Sequence, residues 1–244
     1  MEKNIKIKAS DGKTIYGILR GPLSRPVIIL VHGLAGHMNE ALHHNAAAYF
    51  EKRGFSSFRF GLYSWQKGAR KLHECTFSTH GKDIDNVIKY LESHGAKRIF
   101  IAGHSYGFPS ILHTGHRTFR AVAAWDGSLL PKNHIDVPLH SKNPKGRIID
   151  EGYFVIVGEQ MAKDSHRISS LKLLESFEQP ILFVTVDSNT EGNLSGATKM
   201  YKSFKGKKEL VVIKGATHNF TEEGKEEKLY AATIKWFKKY ECGR

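Results

Sequence analysis

Two cysteines in 244 residues, Cys75 and Cys242, are too few for a secreted disulfide framework and read as ordinary thiols. Long apolar runs are missing as well. The longest, such as Val27 to Val31, are far short of the roughly 20 residues a membrane span requires. The opening octet, Met1 to Lys8, alternates charge with isoleucine and holds no apolar signal core, so a cytoplasmic location is expected. Acidic residues are scarce, 24 against 37 Lys and Arg, which leaves a formal charge of +13. Such an excess permits binding to nucleic acid or an anionic surface. Yet the basic residues are spread along the chain, with a mild excess after Lys199, and no arginine-rich tract or aromatic RNA-binding signature accompanies them. A solvated basic surface, without a nucleic-acid partner, is the expectation. Internal repeats, low-complexity tracts and linker-like stretches are absent too, so a single domain is expected over residues 1–244.

What is present is alternation. Ile5 to Ala9 and Thr14 to Leu19 straddle Asp11-Gly12, a hairpin-turn dipeptide. Short, largely apolar runs follow: Val27 to Val31, Phe55 to Phe60, Arg98 to Ala102, Ala121 to Trp125, Ile181 to Val186 and Leu210 to Ile213. Such runs suit strands buried on both faces of a parallel sheet. Helical periodicity lies between them. After Ser78, Ile84, Val87, Ile88 and Leu91 share a face; near the end Leu229, Thr233, Trp236, Phe237 and Tyr240 do so. The pattern predicts an α/β fold around a mostly parallel sheet. Pro131 to Glu178 breaks the rhythm, and residues 131–178 read as an insertion after the sixth strand, where lids sit.

Three segments carry candidate chemistry. Arg98 to Ala102 runs directly into Gly103-His104-Ser105-Tyr106-Gly107, a Gly-x-Ser-x-Gly between strand and helix. In that setting the turn forces Ser105 out above the sheet edge as a candidate nucleophile, near helix N–H groups that favour negative charge. Pro109 falls in the first helical turn, where its missing N–H has no partner to lose. The strand Val27 to Val31 ends in His32-Gly33-Leu34-Ala35-Gly36; the N–H groups of Leu34 and Tyr106 are the candidate oxyanion donors, and His32 reads as a brace for that loop. Leu210 to Ile213 leads to Gly215-Ala216-Thr217-His218, which makes His218 the candidate base. The adjacent His43 and His44 point to different helix faces, and no metal site is expected.

The chain resembles an α/β-hydrolase of the serine-esterase type over nearly its whole length, from the opening hairpin through His32-Gly33, Gly103 to Gly107 and Gly215 to His218. The resemblance implies an eight-stranded, mostly parallel sheet, a Ser–acid–His triad, an acyl-enzyme intermediate on a small-molecule ester and no cofactor. Amidase, thioesterase or peptidase chemistry on the same triad and a non-catalytic binding role are the alternatives. The segment Gly146 to Asp164 resembles the lid of bacterial cinnamoyl or feruloyl esterases. The acid departs from the family pattern, because Asn189 stands where an aspartate after the seventh strand is usual. Asp126, which follows Ala121 to Trp125 and precedes Gly127, resembles the acid of platelet-activating-factor acetylhydrolases and is the first choice. Asp187 is the runner-up and Glu191 a third option. The candidate substrate pocket comprises Tyr63, Phe108 and, in the insertion, Tyr153. Trp65 and Phe154 are open between pocket and core packing.

Overall fold

Period-two alternation sorts the strands' side chains into two core layers. The computed structural model describes residues 2–129, 142–143, 145–150, 154–188 and 193–241. Val27, Ile29 and Val31 of β3 (Val27–Val31) share one layer with Ile99 and Ile101 of β5 (Ile99–His104) and with Ile181 and Phe183 of β10 (Ile181–Val186). The intervening Ile28, Leu30, Phe100, Ala102, Leu182 and Val184 enter the second layer, on the opposite face. Helices cover both. Ile84, Val87, Ile88 and Leu91 of α2 (Phe77–Ser93) close the first; Leu42, Ala46 and Phe50 of α1 (Ala41–Glu51) and Leu229 and Phe237 of the helix Lys225–Lys238 close the second. Helix α2 starts at a reciprocal cap in which the Thr79 N–H donates to Thr76 Oγ1 (3.0 Å) and the Thr76 N–H to Thr79 Oγ1 (2.9 Å).

The remaining strands are β1 (Glu2–Lys8), β2 (Thr14–Arg20), β4 (Ser56–Phe60), β6 (Val122–Trp125) and β11 (Lys208–Ile213), and the eight-stranded sheet runs β1-β2-β4-β3-β5-β6-β10-β11. The β1–β2 and β2–β4 pairs are antiparallel and the rest parallel, as the sequence pattern predicts. The β1–β2 hairpin is fastened at its open end, where both Glu2 carboxylate oxygens accept from Arg59 of β4 at 2.8 and 2.9 Å, although Arg59 is only 2% exposed. Boundaries differ slightly from the apolar runs. Strand β11 begins at Lys208, two residues before Leu210, because ladder pairing to β10 continues past the apolar stretch.

The parallel strands end at one edge, so His32, Ser105, Asp126, Asp187 and the loop to His218 leave the sheet on the same side. Between β6 and β10 stand a small antiparallel sheet, β7 (Lys142–Asn143), β8 (Gly146–Asp150) and β9 (Phe154–Val157), and two helices, Glu159–Arg167 and Ser170–Glu175. Ile149, Val157, Met161 and Ala162 of this segment pack with Cys75, Phe77 and Tyr106. Residues 130–141 of the expected insertion, Tyr153, Asn189, Glu191 and Cys242 lie outside the described residues. Among the described residues, no helix is long and apolar enough to cross a membrane.

Candidate active site

The turn at Ser105 is shaped by what cannot fit beside it. A Cβ on Gly107 would stand 2.4 Å from the Val31 carbonyl oxygen, and one on Gly103 would stand 2.9 Å from the Gly107 carbonyl carbon. With both flanks pressed against backbone, Ser105 takes a φ of +51°, a left-handed conformation that costs a non-glycine residue about 1–3 kcal/mol. Backbone bonds hold it there. The Ser105 N–H donates to the Trp125 carbonyl (3.0 Å), and the Ser105 carbonyl accepts from Phe108 and Ser128, both at 3.2 Å. Helix α3 (Gly107–Leu112) follows at once, with Pro109 in its first turn.

A second strained residue sits one strand away. Asp126 has a φ of +45°, its N–H donates to the Val184 carbonyl at 2.7 Å, and its side chain is 1% exposed. One carboxylate oxygen, Oδ1, accepts from the Thr185 hydroxyl at 2.8 Å; the other, Oδ2, lies 2.6 Å from His218 Nδ1. Since a carboxylate only accepts, Nδ1 carries the proton and Nε2 is left as the basic nitrogen. Asp187 is engaged differently: its Oδ1 accepts from the Gly215 N–H at 2.7 Å, on the loop that leads to His218. Of the two aspartates the sequence offers, Asp126 is the one whose carboxylate meets the imidazole.

His104 ties the serine turn to the histidine loop. Its Nε2–H donates to the His218 carbonyl at 2.9 Å, and the two rings stand 4.6 Å apart. Burial, together with the neighbouring His218 and His43 rings, holds the His104 imidazole neutral well below its ordinary range. The neutral ring still has one N–H, which it donates to that carbonyl. His32 is a loop brace: Nδ1–H donates to the Gly33 carbonyl (2.9 Å), and Nε2 accepts from the Leu62 N–H (3.0 Å). Burial drives its pKa down to about 4. Gly33 lies against Ser105, its Cβ position 3.1 Å from Ser105 Cβ, so the Leu34 N–H follows directly on the residue that touches Ser105. Tyr106 is buried, with its ring 5.4 Å from Phe77 and its carbonyl accepting from the Ser110 N–H and hydroxyl.

A cavity of about 770 Å³ opens beside this loop rather than over Ser105 itself. Tyr63, a candidate pocket residue, lines it, together with Ala35, Lys71 and Phe154. Phe108 does not; it is fully buried against Phe183 and Gly127, because α3 turns that side of the residue toward the sheet. Trp65 and Phe154 both line the cavity and are 93% and 73% exposed, which removes the core-packing alternative for each. Thr185 and His104 join the site although no motif assigns them a role. Thr185 does leave a signal in the sequence, as the one polar residue in the run Ile181 to Val186. Among the described residues no group of His, Cys, Asp and Glu side chains is arranged to hold a metal.

No family model and no curated protein matches the chain in sequence. In structure the likeness is extensive. Est1E from Butyrivibrio proteoclasticus, solved with ferulic acid bound, superposes with a TM-score of 0.82 at 19% identity, over 97% of this chain and 98% of that one. The esterase domain of a Rhodothermus marinus protein gives 0.77 at 15% identity, over 98% and 99% of the two chains. The α/β hydrolase GrgF from Penicillium sp. gives 0.80 at 14% identity, over 99% of each. Sheet order, strand directions and these superpositions agree: the chain has the α/β-hydrolase fold.

Proposed function

We propose that this protein is a serine hydrolase that cleaves carboxylic esters, with Ser105 as nucleophile, His218 as general base and acid, and Asp126 as the acid of the triad. The observation that carries the reading is the 2.6 Å contact between His218 Nδ1 and Asp126 Oδ2, on the sheet edge that also carries the strained Ser105. A buried carboxylate there fixes the Nδ1–H tautomer and stabilises the imidazolium that forms when the imidazole takes a proton. Ser105 Oγ attacks the ester carbonyl and gives its proton to His218 Nε2. The Leu34 and Tyr106 N–H groups receive the developing oxyanion, each such donor being worth about 100- to 1,000-fold in turnover. His218 then protonates the departing alcohol, and a water deprotonated by the same nitrogen releases the acid from Ser105. Residues 131–178 serve in this reading as a lid over the acyl or alcohol group. That structural neighbours include proteins called esterases supports it further.

Short p-nitrophenyl esters and a fluorophosphonate probe test the assignment. The wild type hydrolyses the esters and is labelled covalently; Ser105→Ala loses about 10⁶-fold in kcat and all labelling. Equal turnover by the two proteins ends the proposal.

A further inference from the structure

The cavity beside the oxyanion loop has a one-sided electrostatic character. His37, Lys71, His73 and Lys145 line it, and among the described lining residues there is no carboxylate. Walls of one sign concentrate the field inside a cleft and draw in the opposite charge. Lys71 is a cation held in place. Its Nζ donates to the carbonyls of Ser64 (2.9 Å) and Gln66 (3.3 Å) and stands 5.6 Å from the centre of the Trp65 ring. An ammonium has three protons, so two carbonyl bonds leave one for a ligand. The nearby Glu74 carboxylate is already engaged, by Lys13 Nζ and by the Lys71 backbone N–H. Lys71 thus stands as a positioned cation beside an exposed indole, in a cavity whose wall also carries the apolar Met38, Leu72, Phe154 and Ile156.

The cavity also abuts the machinery. The Tyr63 hydroxyl, on its wall, donates to the Gly33 carbonyl at 3.3 Å, and Gly33 is the residue pressed against Ser105. Ala35, on the cavity wall, stands two residues from Gly33, so the cavity borders the loop that touches Ser105. Resting on the esterase reading, we propose that the substrate is an ester bearing a carboxylate remote from the bond that is cut, and that Lys71 selects for that charge. The cavity's volume suits a ligand with a sizeable apolar body.

The test uses a matched pair, the mono-p-nitrophenyl ester of adipic acid and p-nitrophenyl hexanoate, which differ at the far end of the acyl chain. In the wild type the anionic ester has the higher kcat/KM. Lys71→Met lowers the anionic-to-neutral ratio about 10- to 100-fold, the worth of a hydrogen bond to a charged group, and Lys71→Arg keeps most of it. A ratio that Lys71→Met leaves unmoved, or a fall in both substrates together, overturns the proposal; the second result makes Lys71 a brace for the Ser64–Gln66 loop. A separate arm needs no catalysis. In Ser105→Ala, naphthylacetate quenches the exposed Trp65 and uncharged naphthylacetamide does so more weakly, a difference that Lys71→Met removes. Equal binding of acid and amide overturns the charge assignment. Absence of both hydrolysis and fluorophosphonate labelling in the wild type sinks the esterase reading alone, and the binding arm still decides the cavity.

Discussion

Strands β6 and β10 are neighbours, run parallel and end at the same edge, and each is followed at once by an aspartate. The two aspartates nevertheless do different work. Asp126 bends back through a φ of +45° and delivers its carboxylate to the His218 ring, while Asp187 caps the backbone N–H of Gly215. One holds the imidazole and the other holds the loop that carries it. Position at the sheet edge therefore selects candidates, and the backbone conformation of the exit residue separates them. Thr185 joins the two exits, since it belongs to β10 yet donates to the carboxylate after β6.

The comparison breaks most sharply under substitution of the acids. Asp126→Asn is expected to lower kcat by about 10⁴-fold while leaving the fold intact, because an amide favours the wrong imidazole tautomer; steady-state kinetics and circular dichroism check both halves. If Asp187→Asn is the more damaging change, the roles are reversed. Thr185→Val removes a bond that orients the Asp126 carboxylate and is expected to cost about 10- to 100-fold in kcat/KM. Thr185→Ser, which keeps the hydroxyl, is expected to restore most of that loss. Asp187→Asn is expected to leave kcat within about threefold of wild type and to lower unfolding free energy by about 1 kcal/mol, since an amide oxygen still accepts from Gly215; urea denaturation measures it.

Acid separates what the exits do from what the fold requires. His32 is buried and neutral, with a pKa of about 4 against an ordinary 6.5, so the unfolded chain binds its proton first. Its contribution is complete above pH 6.5 and is lost as the pH falls from 6.5 toward 4, a destabilisation of roughly 3 kcal/mol by that one group. Stability curves measured across that window test it. An unchanged midpoint between pH 7 and 4.5 refutes a buried neutral His32, and any fall in activity above the window belongs to the site rather than to unfolding.

The mostly parallel sheet was legible in the sequence because short apolar runs such as Ile28 to Leu30, alternating with helical periodicity, suit strands buried on both faces; eight as the number of strands came from the family resemblance. The position of Ser105 was legible for a similar reason: two glycines bracketing one residue between strand and helix leave few alternatives. Asp126 and Asp187 could be proposed but not ranked with force, because a positive φ at a non-glycine residue has no local signature. Trp65 and Phe154 were equally opaque. Periodicity reports which face of an element is buried; it says nothing of an aromatic in a loop, as Trp65 is, or at the first residue of a strand, as Phe154 is, and both line the cavity. The withdrawal of Phe108 into the core followed from the rotation of α3, which six residues of helix are too short to announce.

The clasp between Glu2 and Arg59 bears on how the protein can be handled. A guanidinium only 2% exposed depends on a carboxylate from the second residue of the chain. Glu2 itself is 32% exposed, so water screens the pair and its removal costs on the order of 1 kcal/mol. A protease site or affinity handle placed so that processing removes Glu2 would thus yield a weakened product, whereas a fusion that leaves Glu2 in register on β1 preserves the bond.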